Sequence, residues 1–257
     1  MSGTVFITGA SSGIGKALAS EYARLGWDVG VLARRRDTLD ELVNGLHNSY
    51  PNQHFAAAVA DVTDEQEQFK ALDALISELG SPSVFIANSG YGKRKDPLQP
   101  VWSHVRRTLM TNLLGAIAGM EYIKDHWVRE KKTGHLVAIS SVASARGLRG
   151  TASYSASKAA LATYMESIGI ELPASGIHVT CIFPGFVRTP MTASNPWMPW
   201  LLEPEDAAQR IIRAIEKRRS RYVFPFPMRF IFSLLRHLPG PMYDWAARRS
   251  PSYKEQE

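Results

Sequence analysis

The stretch Thr4-Val-Phe-Ile-Thr-Gly-Ala-Ser-Ser-Gly-Ile-Gly15 leaves the chain few folds to choose from. Thr4 to Thr8 reads as a short buried strand. Glycines follow at Gly9, Gly13 and Gly15. Ile14, Ala17, Leu18, Tyr22 and Leu25 then recur at helical spacing, so a helix runs from about Gly13 to Leu25. Glycine lets backbone N–H groups approach a ligand closely and can adopt positive φ. A helix N-terminus adds unpaired donors and the positive end of a dipole. Strand, glycines and helix in this order make a cradle for a pyrophosphate. The spacing is Gly-x-x-x-Gly-x-Gly, not the Gly-x-Gly-x-x-Gly dinucleotide fingerprint, and the competing reading is a plain Gly/Ser-rich turn.

The alternation continues. Apolar runs at Asp28–Ala33, Phe55–Ala60, Ser83–Ala87, His135–Ser140, His178–Phe183 and Arg221–Phe224 read as strands. Between them, Asp37 is expected to cap a helix carrying Leu39, Leu42, Val43 and Leu46. Asp64 is expected to cap one carrying Phe69, Leu72, Leu75, Ile76 and Leu79. Trp102–Glu130 and Thr151–Leu172 read as two longer helices. Repeated β-α-β units with short apolar strands imply an α/β, Rossmann-like, doubly wound parallel sheet of about seven strands with helices on both faces. No linker or repeat divides it, so residues 1–257 read as a single dinucleotide-binding and catalytic domain. The ligand crevice of such a sheet lies at the C-terminal ends of the strands. Gly9, Arg34, Asp61, Asn88, Ser141 and Pro184 follow strands one to six in turn.

Charge narrows the partners. The net charge is +6, yet the basic residues are spread and no aromatic-interleaved basic groove is visible, which argues against nucleic acid. The single Cys181 excludes an intramolecular disulfide framework and fits a reducing compartment. A strand beginning at residue 4 leaves no room for a signal peptide, and no apolar run approaches the ~20 residues of a membrane span. These features lead to the expectation of a soluble, cytoplasmic protein without a metal site.

The end of the second strand indicates which dinucleotide. A carboxylate there would bond the adenosine ribose 2′-OH. This chain has Ala33-Arg34-Arg35-Arg36 instead, and guanidinium groups match phosphate oxygens bidentately. NADP(H) is therefore expected over NAD(H), with Arg34 and Arg35 on the 2′-phosphate. Ser12 adds no second cation. The alternative is a solvated basic start to the next helix.

Tyr154 and Lys158 stand four residues apart, on one face of the predicted helix. A phenol with pKa ~10 donates a proton poorly at neutral pH, and a nearby ammonium favours its ionised form. The pair can supply a tuned acid/base group. Ser141, thirteen residues before Tyr154, has a hydroxyl that could bond a substrate carbonyl. Asn112, inside the long helix, could bend it or hold a water.

In combination these residues resemble the short-chain dehydrogenase/reductase family over about residues 3 to 190. Thr8-Gly-Ala-Ser-Ser-Gly-Ile-Gly15 resembles its cofactor loop, which implies cofactor contacts at Gly9, Ser11, Ser12, Gly13, Ile14 and Gly15. Asp61-Val62 resembles its adenine contact. Pro184, Gly185, Val187 and Thr189 belong to a segment like the one that wraps the nicotinamide. Ser141, Tyr154, Lys158 and Asn112 stand in the order of its catalytic tetrad. The family often has Asn-Asn-Ala-Gly after strand four, whereas this chain has Ala87-Asn88-Ser89-Gly90, so cofactor proximity carries over to Asn88 only. The resemblance implies hydride transfer between NADPH and a carbonyl carbon. Tyr154 acts as proton donor and Ser141 orients the oxygen. Lys158 holds the nicotinamide ribose and lowers the Tyr154 pKa, and Asn112 positions a relay water. It also implies a homodimer or homotetramer.

The substrate region is less defined. Residues 191–203 hold Met191, Trp197, Met198 and Trp200 in a proline-broken loop and read as an apolar lid, which favours a hydrophobic ketone, aldehyde or alcohol. The stretch Tyr91–Pro100, with Lys93-Arg94-Lys95, also borders the site. The extension 221–257 contains a basic amphipathic helix with Met228, Ile231, Phe232, Leu235 and Leu238 on one face and Arg229, Ser233 and Arg236 on the other. Such a helix can pack on the core or in a subunit interface, cover the site, or rest on a membrane surface. The polar end, Ser250–Glu257, reads as frayed. Two rival functions stay open: a non-catalytic NADP-binding regulator, and an epimerase or dehydratase on the same fold.

Overall fold

The computed structural model describes residues 3–92, 98, 101–193, 195 and 197–249. The strands are β1 (Thr4–Thr8), β2 (Asp28–Ala33), β3 (Phe55–Val59), β4 (Val84–Ala87), β5 (Gly134–Ile139), β6 (Ile177–Pro184) and β7 (Arg221–Phe224). They form one parallel sheet in the order β3-β2-β1-β4-β5-β6-β7. Ile7 pairs with Val31 on one side and Ile86 on the other, so β1 is an interior strand, and the strand order reverses between β1 and β4. A ligand crevice belongs there in a doubly wound sheet.

The helices are α1 (Gly13–Arg24), α2 (Arg36–Ser49), α3 (Glu65–Leu79), α4 (Trp102–Leu109), α5 (Gly115–Arg129), α6 (Ala152–Glu171), α7 (Pro204–Glu216), α8 (Phe226–His237) and α9 (Gly240–Arg248). Alternate side chains of a strand point to opposite faces. Val5 and Ile7 accordingly join a core beneath α1, α2 and α7 with Leu18, Leu39 and Ile211. Phe6 joins the opposite core, beneath α3, α5 and α6, with Leu72, Met120, Trp127 and Leu161. Gly30 makes room for Phe6, since a Cβ there would lie 2.6 Å from its ring.

Two expectations need correction. Asp37 does not cap α2: the helix starts at Arg36, Arg35 occupies the N-cap, and Asp37 lies in the first turn, where its carboxylate faces the positive end of the dipole. Asp64 does cap α3, accepting the Glu67 N–H at 3.0 Å. The expected single helix Trp102–Glu130 is interrupted by a π turn at Met110–Leu114 centred on Asn112. Gly115 directly after it lets the chain reach β3's exit, because a Cβ there would lie 2.2 Å from the Val62 carbonyl oxygen.

Of the alternatives for α8, the face with Met228 and Phe232 takes core packing, against the chain's own body. Met228 is buried over Gly185, Phe232 meets Phe183 at 5.1 Å between ring centroids, and Ile231, Leu235 and Leu238 are half-buried. No described helix is long and apolar enough to cross a membrane. Ser250–Glu257 lie outside the described residues.

Candidate active site

The loops after β1, β2, β3, β4, β5 and β6 enclose a cavity of about 500 Å³. Of the catalytic and cofactor residues singled out from sequence, all but Gly15 and Asn112 line it. Gly15 lies just behind: a Cβ there would come within 2.5 Å of both the Asn88 amide and the Gly9 carbonyl oxygen. Gly13 has φ +56°, and a Cβ on it would come within 2.8 Å of Thr189. The glycine loop and the Thr189 segment thus approach each other across a gap that only a residue without a side chain leaves open.

Asn88 holds the loop rather than pointing into the cavity with free donors. Its Nδ2 donates to the carbonyls of Thr8 (3.0 Å) and Gly9 (3.2 Å). The Thr8 hydroxyl accepts the N–H groups of Asn88 and Ser89, both at 3.1 Å. This threonine was missed as a supporting residue because its task is bonding backbone from a strand 80 positions away.

The two arginines flank the start of the cavity. Arg35 donates from Nη2 to the Ser11 carbonyl (3.1 Å) and hydroxyl (3.0 Å), which ties it to the glycine loop. Arg34 lies 3.4 Å from the Asp61 carboxylate. Partial burial pushes the Asp61 carboxyl up. The N–H and hydroxyl of Thr63, both 3.0 Å away, and the Arg34 charge outweigh it and hold Asp61 below the usual carboxylate range. Asp61 is therefore an anion, with Val62 beside it at the exit of β3.

At the other end Ser141, Tyr154 and Lys158 converge. Ser141 sits at the exit of β5 with its Oγ accepting the Ala143 N–H at 3.1 Å. The Tyr154 phenol lines the same cavity. Burial raises the phenol's pKa, and the opposing influence of the Ser141 hydroxyl is smaller. Lys158 Nζ donates to the Ile139 carbonyl at 2.7 Å and lies 6.0 Å from the Tyr154 ring centroid. Burial brings the ammonium down to about 8. The lowering of the Tyr154 pKa by Lys158, implied by the resemblance, is thus not a property of the chain alone: burial dominates both groups.

Asn112 is fully buried and its amide is committed to protein. Oδ1 accepts the Tyr91 N–H at 2.6 Å, and Nδ2 donates to the Tyr91 carbonyl (2.9 Å) and the Ser157 hydroxyl (3.0 Å). No side-chain N–H is left for a water. Ser157 in turn donates to the Tyr154 carbonyl at 2.8 Å. Asn112 therefore joins the β4 exit loop to the helix carrying Tyr154 and Lys158. Gly92 in that loop lies against the phenol, since a Cβ on it would meet the ring at 2.7 Å. Gly92 and Ser157 were not found from sequence, because their value is contact with backbone and ring rather than chemistry of their own.

The expected lid is only partly at the cavity. Met191 and Thr192 line it, and the loop is closed at its base by the Val187–Leu202 bridge, with the Arg188 N–H on the Leu202 carbonyl at 2.9 Å. Trp197 and Trp200 do not line it and are 74% and 49% exposed. Ser194 and Pro196 lie outside the described residues, as do Lys93-Arg94-Lys95.

These features define a class of protein, and comparison with known proteins agrees. The family model described as short chain dehydrogenase matches residues 3–199. An oxidoreductase of uncharacterised function from Myxococcus xanthus is 38% identical over 253 residues, covering 96% of each chain. A short chain dehydrogenase/reductase from Burkholderia phymatum, solved with NAD, superposes with a TM-score of 0.83 at 20% identity, over 98% of this chain and 96% of that one. An alcohol dehydrogenase from Thermococcus sibiricus, solved with 5-hydroxy-NADP, gives 0.78 at 24% identity, over 87% and 96%. The chain belongs to the short-chain dehydrogenase/reductase family and is an oxidoreductase enzyme of that family.

Proposed function

We propose that this enzyme transfers a hydride between NADPH and the carbonyl carbon of a hydrophobic ketone or aldehyde, and in reverse oxidises the corresponding secondary or primary alcohol. The observation that carries the reading is the convergence, in one cavity, of the Ser141–Tyr154 hydroxyl pair and buried Lys158 with the glycine loop and the two arginines. The close Gly13–Thr189 approach and the row of lining residues fit a dinucleotide. Gly9, Ser11, Ser12, Gly13 and Ile14 would hold its pyrophosphate, Asp61 and Val62 the adenine side, and Pro184, Gly185, Val187 and Thr189 the nicotinamide. Arg35, oriented by Ser11, and Arg34 would hold the 2′-phosphate. The bound nicotinamide supplies the hydride.

The chain's own residues handle the proton. Tyr154 gives its phenolic proton to the carbonyl oxygen as negative charge builds there, and Ser141 donates a hydrogen bond to the same oxygen. Lys158, protonated below about pH 8, holds the nicotinamide ribose and stabilises the phenolate left behind. Asn112 keeps the Tyr91–Gly92 backbone against the phenol. The same reading takes residues 1–257 as one catalytic domain of a cytoplasmic homodimer or homotetramer, with residues 191–203 beside the substrate.

A screen of NADPH oxidation across water-soluble and apolar ketones and aldehydes tests this. Turnover should appear with part of the panel, and Tyr154→Phe should lower kcat by about 10²–10⁴-fold. Full turnover by Tyr154→Phe overturns the acid–base assignment. Conversion of a substrate without net NADPH consumption turns the reading into the epimerase or dehydratase alternative, and NADPH binding with no turnover across the panel into the non-catalytic one.

A further inference from the structure

The C-terminal helices show a feature that the catalytic reading does not use. With Met228 and Phe232 facing inward, α8 still presents Phe226, Phe230 and Leu234 to solvent, 63%, 64% and 62% exposed. Four-residue spacing puts these three on one side of the helix. Helix α9 adds Met242 and Trp245, 58% and 62% exposed. Charge is concentrated in the same segment. Residues 217–249 hold eight Lys or Arg residues and a single acid, Asp244, while the whole chain is only +6, so the remainder is slightly acidic. Arg229 and Arg236 share the exposed half of α8 with the apolar stripe. Arg229 stands 5.8 Å from the Phe226 ring centroid and Arg249 3.9 Å from that of Trp245.

We propose that helix α8, with α9 after it, docks the protein on an anionic lipid bilayer, with Phe226, Phe230 and Leu234 entering the interface. Exposed aromatic rings flanked by arginine suit the boundary between headgroups and acyl chains, and each nearby cation adds attraction to acidic headgroups. The same charge disfavours a second copy as the occupant. A two-fold interface brings identical patches together and would oppose two arginine-rich surfaces with almost no acid between them.

The docking face is joined to the rim of the cavity. Arg146, five residues after Ser141, donates to the Leu235 carbonyl at 3.0 Å and to the Leu238 carbonyl. The Tyr243 hydroxyl donates to the Gly147 carbonyl at 2.5 Å. Met228 packs on Gly185, which lines the cavity. Helices α8 and α9 are thus tied to the segment that follows Ser141 and to Gly185 of the cavity, and a bilayer bound by them favours substrates that partition into lipid. This consequence rests on the reductase reading, whereas docking itself does not.

Sedimentation of the full chain with phosphatidylcholine vesicles, with and without phosphatidylserine, tests the proposal. The protein should sediment with the mixed vesicles, stay in solution with phosphatidylcholine alone, and be released by high salt. Phe230→Glu combined with Leu234→Glu should weaken partitioning by at least about tenfold, with NADPH turnover of a water-soluble ketone unchanged. Arg229→Ser combined with Arg236→Ser, a milder surface change, should also weaken binding and reduce its salt dependence. Failure of the wild type to sediment with phosphatidylserine vesicles overturns the proposal. So does equal binding to both vesicle types, or a self-association that the glutamate variant abolishes. Vesicle binding without turnover of any carbonyl compound would count against the reductase reading and leave docking standing.

Discussion

Asn112 makes three hydrogen bonds through one amide, and two of them satisfy both backbone groups of Tyr91. That demands an acceptor and a donor on the same side chain, in a position closed to water. Aspartate is nearly the same size but cannot donate. Asn112→Asp should leave the Tyr91 carbonyl and the Ser157 hydroxyl facing a carboxylate and cost about 2–4 kcal/mol. Urea unfolding measures it, and activity should fall as Gly92 loses its seat on the Tyr154 ring. An Asn112→Asp variant with wild-type stability and turnover would show that the bridge has no such role. Ser141, Tyr154 and Lys158 are legible in sequence because their chemistry is intrinsic to the side chain and their spacing follows from a strand exit and a helix face. Thr8, Gly92 and Ser157 are not, because each serves by what a distant backbone or ring places against it.

Strand exits are the most legible elements, since short apolar runs separated by helical patterns admit one sheet type. Two helical features are not. The π turn at Met110–Leu114 shifts the helical phase by too little to break the apolar pattern, and Asn112 is the one residue whose type hints at a bend there. In helix α8 the spacing of Met228, Phe232 and Leu235 marks the inward face, but the exposed stripe Phe226, Phe230 and Leu234 beside it goes unread. A further element-level feature is the pairing of β5 with β6, where His135 is opposite His178. His135 Nε2 lies 2.7 Å from the Thr180 hydroxyl, which itself donates to the Arg219 carbonyl at 2.7 Å, so the ring nitrogen is the donor. Burial, with smaller contributions from His178 and Arg218, lowers its pKa from 6.5 to about 4. The unfolded chain therefore takes up this proton first on acidification. Stability from a neutral His135 is intact above about pH 6.5 and is lost as pH falls through about 4, by at most about 3 kcal/mol. Urea midpoints between these pH values should decline in the wild type and decline less in His135→Gln. Equal slopes would mean that other groups carry the acid sensitivity.

At the scale of the whole molecule, the cavity spans the switch point, with β1, β2 and β3 exits on one side and β5 and β6 exits on the other. A ligand that fits only this assembled arrangement binds the folded state alone and stabilises it by mass action, about 2.7 kcal/mol at a hundredfold excess over Kd. For a chain of 257 residues that corresponds to a rise in Tm of roughly 5–10 °C. NADPH and NADH differ only in the 2′-phosphate, so at equal concentrations the difference between their shifts reports on Arg34 and Arg35. Arg34 shares its charge with Asp61, whereas Arg35 is held by neutral groups of Ser11 and keeps its full charge for a phosphate. The NADPH shift should therefore exceed the NADH shift in the wild type. Arg35→Ala should bring the two together, because it removes a cation that no carboxylate offsets; Arg34→Ala should narrow the difference as well, because it also frees the Asp61 carboxylate, whose charge opposes the phosphate. Arg35 is exposed, so its loss should change the ligand-free Tm little. Equal shifts by NADH and NADPH in the unaltered protein would exclude the phosphate preference, and a preference that survives in Arg35→Ala would move it to another cation.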